Sequence, residues 1–242
     1  MEIEGKNALV TGGARGIGRA AVLALARKGA NVGINYVNNH DAAVETRELA
    51  RKFGVDAEIF RADVANYTDV KRMVDEFVKK FQGIDILVNN AGVFPKNFKL
   101  SEISEDEWDW LLNINLKGAF LVSKEVLKYM PDGGKIVNIS SIAGKMGGVA
   151  GPHYAASKAG LIGLTFALAS EFSSKNIAVN AVAPGPVDTE MIPDDIKERL
   201  AQITPLGRIA TPGEIAHTVI FLIENDYITG EVVDINGGRY MD

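Results

Sequence analysis

A phenol and an ammonium four residues apart, Tyr154 and Lys158, are the side chains of this sequence best able to do chemistry together. The pattern from about His153 onward is helical, and on a helix residues at that spacing share one face about a turn apart. A free phenol titrates near ~10, so at neutral pH it is a poor acid or base. An adjacent cation favours the phenolate, and bringing it to about 7 takes roughly 4 kcal/mol of differential interaction. A lysine held in a low-dielectric cleft is expected to supply much of that. On a solvated surface helix the same two residues would do nothing. The surroundings therefore decide.

Upstream, Lys135–Ile139 reads as a buried strand, and residues 140–151 form a loop of mostly small residues. Ser141 lies just past the strand's carboxyl end, where open α/β sheets place their ligand crevice. The rest of the chain reads as the scaffold for this stretch. Residues 6–10 are a short apolar strand, followed by Thr11-Gly-Gly-Ala-Arg-Gly-Ile-Gly18 and a helix over 17–28. Gly12, Gly16 and Gly18 let the backbone turn tightly and approach a ligand. A strand feeding such a loop into a helix offers free N–H groups and a positive dipole end to a pyrophosphate.

The second strand, residues 30–36, ends where a dinucleotide fold reads the adenosine ribose. No carboxylate follows until Asp41, and Arg15 either pairs with a 2′-phosphate or stands solvated. The Asn35 amide and Tyr36 backbone are expected to add weaker contacts there. Beyond the helix over 41–53 and the strand over 56–61, Asp63 could accept from an adenine amino group or cap its own turn. The helix over 66–81 carries Val70, Met73, Val74, Phe77 and Phe81 at helical period, with Asn66 or Thr68 as its cap. The fourth strand, 84–88, closes on Asn89-Asn-Ala-Gly92.

One long helix is predicted over 104–129. Asn115 inside it is a liability unless its amide is used. A sixth strand, 176–183, turns out through Pro184-Gly-Pro-Val-Asp-Thr189 into an excursion over about 186–208. Such an excursion at a strand's carboxyl end reads as a lid or substrate wall. It holds Met191, Ile192 and a helical pattern over 194–202. A helix over 212–223 and a strand over 231–235 complete the alternation. Apolar strands alternating with helices predict an α/β fold, a doubly wound, Rossmann-like sheet of seven parallel strands with helices on both faces. The whole chain, 1–242, reads as a single domain.

Composition narrows the function classes. The chain has 242 residues, 47% hydrophobic and 24% charged, with a formal charge of −5. That balance implies no general attraction to nucleic acid or to an anionic membrane. With no cysteine, disulfides, thiolate catalysis and zinc ribbons are excluded, and a cytoplasmic location is expected. His40, His153 and His217 lie far apart, without metal-motif spacing, so no metal is expected. No signal peptide and no apolar run of spanning length is visible.

Thr11-x-x-x-x-Gly16-x-Gly18, Asn89-Asn-Ala-Gly92, Ser141, Tyr154-x-x-x-Lys158 and Pro184-Gly185 occur in this order. With these motifs the chain resembles the short-chain dehydrogenase/reductase family from about Lys6 to its end. Tyr154-Ala-Ala-Ser-Lys-Ala-Gly160 and the Asn236-Gly-Gly-x-Tyr-Met241 ending are similar to those of 3-oxoacyl-carrier-protein reductases. The resemblance implies that Ser141 anchors a substrate carbonyl oxygen and that Tyr154 exchanges its proton with that oxygen. Lys158 would lower the phenol's pKa and bind the nicotinamide ribose, and Asn115 would hold a water linking Lys158 to solvent. Cofactor contacts are implied for Gly12, Ala14, Arg15, Ile17, Gly18, Tyr36, Asp63, Val64, Asn89, Ala91, Val187 and Thr189, with Tyr154 and Lys158. His153 is expected at the pocket edge, not as a base. NADP(H) is expected over NAD(H).

The expected reaction is NADP(H)-dependent reduction of a 3-oxoacyl thioester. A sugar or polyol dehydrogenase uses the same chemistry and stays open, as does a non-catalytic dinucleotide sensor, which would not need Ser141, Asn115, Tyr154 and Lys158 together. The excursion looks shorter than in the carrier-protein reductases, and the residues before Lys135 are less basic than an acidic carrier would want. Whether a carrier protein docks therefore stays open. The 154–172 helix is apolar on nearly every side, and the 104–129 helix carries Trp108, Trp110, Phe120 and Leu121. Both faces are expected to pair with symmetry mates, giving at least a dimer and, as in the family, a homotetramer.

Overall fold

The computed structural model describes residues 1–147, 150–190 and 192–241. Gly148 and Val149 of the loop before the Tyr154 helix, Met191 of the excursion and Asp242 lie outside the described residues. Seven strands form one sheet: β1 (Asn7–Val10), β2 (Asn31–Tyr36), β3 (Ala57–Arg61), β4 (Ile86–Asn89), β5 (Lys135–Ile139), β6 (Ala178–Pro184) and β7 (Val232–Ile235). Their order is β3-β2-β1-β4-β5-β6-β7. Every pairing is parallel. The order reverses between β1 and β4, and the crevice at such a switch point is where this architecture binds ligands.

Successive strand residues point to opposite faces, and here both faces are covered. Ala8, Val10, Ile86, Val88 and Val137 pack on one side with Val22 and Leu25 of α1 (Gly16–Arg27) and Ile215 and Val219 of α9 (Pro212–Glu224). Leu9, Leu87 and Ile136 face the other side. There they meet Met73 and Phe77 of α3 (Tyr67–Phe81) and Val122 of α5 (Gly118–Val126). The apolar strand runs are thus explained by double-sided burial. Caps set the helix starts. Asn39 Oδ1 accepts from the Ala42 N–H at the start of α2 (His40–Arg51), and Asn66 Oδ1 accepts from the Thr68 and Asp69 N–H groups of α3.

One predicted element differs. The single helix over 104–129 is divided into α4 (Glu105–Leu112), a π turn at Asn113–Lys117, and α5. The extra residue in that turn swings Asn115 inward, where its side chain is fully used. π turns of this kind concentrate at functional sites. The chain then continues through β5 to α6 (Ala143–Met146) and the 21-residue α7 (Pro152–Phe172). The excursion after β6 carries α8 (Asp194–Gln202). Among the described residues no helix is long and apolar enough to cross a membrane.

Candidate active site

The site is built from the carboxyl ends of β1, β4, β5 and β6 and the start of α7. Gly151, at φ +77°, turns the chain into α7, and Pro152 occupies the first helical turn. Proline is suited there because that N–H has no helical partner. Tyr154 and Lys158 then face the sheet one turn apart, both buried. Ser140 Oγ donates to the Lys158 carbonyl at 2.9 Å, tying the end of β5 to α7. Ser141 Oγ accepts from the Ala143 N–H at 3.1 Å, which orients the hydroxyl at the head of α6.

Lys158 Nζ donates to the Ile139 carbonyl at 2.8 Å and lies 5.8 Å from the centre of the Tyr154 ring. Burial pushes the Lys158 ammonium down to about 8. Burial also pushes the Tyr154 phenol up to about 12, with a hydrogen bond to Ser141 acting in the opposite direction. This corrects the expectation that Lys158 pulls the phenol down: the ammonium is turned to a carbonyl, and desolvation dominates both groups. A phenol at about 12 keeps its proton across the usual pH range. Tyr154 is therefore poised as a donor.

Asn115 accepts from the Val93 N–H at 2.8 Å and donates to the Val93 carbonyl at 3.0 Å. Its amide also donates to Ser157 Oγ at 3.3 Å. A Cβ added at Gly92 would come 3.3 Å from Asn115 Oδ1 and 3.6 Å from Lys158 Nζ. Asn115 thus fixes the 92–93 segment beside the lysine, through the structural hydrogen bonds that its position in a helix demanded.

Above the tyrosine, Phe94 packs edge-on at 5.3 Å. The segment carrying it is clamped by Glu107, whose carboxylate accepts from the Lys96 and Asn97 N–H groups and the Asn97 amide. Asn97's side chain and backbone hold Glu107 down to about 2. His153 corrects its expected place at the pocket edge. It is fully buried, with Nε2 3.5 Å from Glu107 Oε1, because residue 153 points away from the face that carries Tyr154.

The glycine loop has the form expected. Gly12 takes φ +61°, and a Cβ at Gly18 would run into the Gly12 carbonyl and the Asn90 amide. Asn90, which sequence reasoning passed over, pins this loop: its amide donates to the Thr11 and Gly12 carbonyls at 3.0 and 3.1 Å. Thr11 Oγ1 in turn accepts from the Asn90 and Ala91 N–H groups. The signal was the Asn89-Asn90 doublet, in which strand alternation sends the two amides opposite ways. Asn89, expected at the cofactor, instead donates to Ser123 Oγ and Asn138 Oδ1 beneath the sheet.

Near the end of β2 the structure corrects a second expectation. Asn35 is buried, and its amide is spent on the Gly12 N–H and the Phe60 and Ala62 carbonyls, so it offers nothing to a phosphate. Tyr36 packs against Ala14 and Ala43 and shares a 2.7 Å hydrogen bond with His40. Asp63 Oδ1 accepts from the Ala65 N–H and caps the turn, as the second of its two sequence readings expects. Val64 is buried against Gly118. Arg15 reaches across to Glu190 of the excursion at 2.8 Å, an exposed pair. Ile17, Val187 and Thr189 line the cavity that holds Ser141, Tyr154 and Lys158.

That cavity has a volume of about 250 Å³. Phe94 and Phe98 line it, together with Ile192, Ile196 and Leu200 of the excursion. Arg239 of the tail also lines it. The loop aromatics and Arg239 were not identified from the sequence. Only the run of aromatics after Asn89-Asn-Ala-Gly92 could have signalled the first.

Comparison with known proteins follows the same lines. A family model described as "Enoyl-(Acyl carrier protein) reductase" matches residues 12–239. The chain is 42% identical over 243 residues to a 3-oxoacyl-[acyl-carrier-protein] reductase of Staphylococcus epidermidis, covering 98% of this chain and 99% of that one. The chain belongs to the short-chain dehydrogenase/reductase family. It is an NAD(P)-dependent oxidoreductase. Among solved structures, a short-chain dehydrogenase/reductase from Serratia marcescens superposes with a TM-score of 0.94 at 38% identity, covering 99% of both chains. A blue fluorescent protein from a metagenomic library, solved in complex with NADPH, gives 0.94 at 35% identity over 100% of both.

The site fits such a cofactor on its own geometry. The glycine loop leaves no room for a Cβ where it meets Asn90. Lys158 brings a buried cation to the same crevice.

Proposed function

We propose that this protein reduces the ketone of a 3-oxoacyl thioester to the 3-hydroxyacyl form with NADP(H). The observation that carries this reading is the convergence of Ser141 and a proton-bearing Tyr154 on one cavity with Lys158. The glycine loop, Ile17, Val187, Thr189 and Lys158 would hold the nicotinamide cofactor, which supplies the hydride when bound. Ser141 donates a hydrogen bond to the substrate carbonyl oxygen and holds it beside Tyr154. The Tyr154 hydroxyl gives its proton to that oxygen as negative charge develops there. As the phenolate forms, Lys158 turns to it from the Ile139 carbonyl and stabilises it, its charge the more effective because water is excluded.

The apolar walls from Phe94, Phe98, Ile192, Ile196 and Leu200 favour an acyl chain over a sugar or polyol, whose hydroxyls they would leave unpaired. The excursion over 186–208 serves as the substrate wall. Preference for NADP(H) is supported by the NADPH bound in the metagenomic relative and by the absence of a carboxylate between Asn35 and His40. Arg15 reads the 2′-phosphate by exchanging Glu190 for it; an exposed pair of this kind is worth only ~0–1 kcal/mol. The unpartnered faces of α5 and α7 assemble four copies.

The test follows NADPH absorbance with 3-oxoacyl thioesters, 2-enoyl thioesters, simple ketones, glucose and polyols. Fastest turnover of the 3-oxoacyl thioesters is expected. Faster consumption with enoyl thioesters, or NADP⁺ reduction by glucose alone, would contradict the proposal.

A further inference from the structure

Arg239 is a charged group for which the proposed reaction has no use. It sits in the tail that follows β7, in a turn that is firmly built. Asn236 Oδ1 accepts from the Gly238 and Tyr240 N–H groups, and the Asn236 amide donates to the Tyr240 carbonyl at 3.0 Å. The Arg239 N–H donates to the Asn236 carbonyl at 3.3 Å. Gly237 and Gly238 adopt φ of +65° and +87°, and Gly238 lies against Pro205 of the excursion. The turn presents Arg239 to the cavity that contains Ser141, Tyr154 and Lys158.

Its guanidinium is left unanswered. Nη1 is buried without a hydrogen-bond partner. Among the described residues no carboxylate pairs with Arg239, and the residues lining the cavity include no Asp or Glu. Lys158, the other cation there, is already turned to the Ile139 carbonyl. A planar fork of donors in an apolar, acid-free cavity matches one kind of partner, an anion with two oxygens in a plane. Arg239 is half-buried, and a guanidinium whose Nη1 is buried without a counter-ion is expected where a ligand supplies the missing charge.

We propose that Arg239 is a specificity-determining residue that binds a carboxylate on the substrate, so that the preferred 3-oxo compounds carry their own negative charge. This rests on the carbonyl-reduction reading above and narrows its substrate class. The thioester is then one acceptable acyl group, and a 3-oxo acid is the better-matched one.

The experiment compares acetoacetate with methyl acetoacetate, a pair that differs in charge but keeps the ketone. NADPH oxidation is followed for the wild type, Arg239→Met and Arg239→Lys, with NADPH affinity and Tm measured alongside. The wild type is expected to prefer the acid. In Arg239→Met the ratio of kcat/KM for acid over ester should fall about ten- to a hundredfold, chiefly through KM for the acid. Arg239→Lys should recover part of that ratio, since it keeps the charge without the fork. Tm of Arg239→Met should not fall, because the half-buried guanidinium makes no ion pair among the described residues whose loss would cost stability.

An unchanged acid-to-ester ratio would overturn the proposal, as would wild-type turnover of the ester without the acid. Weakened NADPH binding in Arg239→Met would overturn it too, by assigning the guanidinium to the cofactor. A wild type that reduces neither compound, nor any 3-oxoacyl thioester, would instead sink the carbonyl-reductase reading and this proposal with it.

Discussion

Tyr154 and Lys158 share a dry pocket, and each resists its charged form there. For Lys158 the direction has two consequences. Its ammonium is lost as pH rises through about 8, so NADPH-driven reduction should decline above that value, as a pH–rate profile will record. The folded pKa lies below the ordinary lysine value of 10.5, so the unfolded chain holds more protons between about 8 and 10.5. Stability contributed by this group therefore rises with pH across that window, and charged Lys158 is a cost below it. Lys158→Met should abolish turnover without lowering Tm at pH 7; a clear drop in Tm would show that the ammonium stabilises the fold. At the cofactor end, Arg15→Ala should weaken NADPH binding roughly tenfold or more and leave NADH nearly unchanged. Glu190→Gln, which frees Arg15, should tighten NADPH binding by a few-fold at most. Equal loss of both cofactors in Arg15→Ala would show that Arg15 only shapes the loop.

Asn115 shows how an element can be made to serve a site. An α-helix over 104–129 would have left that amide pointing at neighbouring turns; the π turn aims it at Val93. Asn115→Ala leaves the Val93 N–H and carbonyl without these partners. The substitution should cost about 2–3 kcal/mol of stability, read as a lower denaturant midpoint. A loss below about 0.5 kcal/mol would mean the segment does not depend on the amide. Sequence reasoning found the odd polar residue but not the extra residue in the turn, since a π turn barely alters apolar periodicity. Asn89 and Asn90 carry the same lesson. The motif marked the strand end, whereas the direction of each amide depended on where β4 ended and the pleat reset.

For the molecule as a whole, apolar strands alternating with 3.6-period helices made seven parallel strands legible, because double-sided burial leaves that pattern. The strand order follows from right-handed crossovers and from which helix covers which face, neither of which periodicity records. The three central groups were legible as a spacing. Phe94, Phe98 and Arg239 were not, because loops far apart in sequence bring them together.

The expected assembly is supported by Trp110, Phe120 and Phe166, exposed by 39%, 45% and 49% on α4, α5 and α7. Leu121, expected on that surface, is instead in the core beside Val122. Light scattering at micromolar concentration should give a mass well above 26 kDa; a single species at 26 kDa would refute the assembly.

Sheet, glycine loop and α7 all converge on one hydroxyl, so the most direct measurement is steady-state NADPH oxidation by Tyr154→Phe with a 3-oxoacyl thioester. NADPH affinity is read from cofactor fluorescence in the same samples. Turnover should fall by at least about a hundredfold with cofactor affinity changed no more than a few-fold. A variant that keeps most of its rate would contradict Tyr154 as the proton donor.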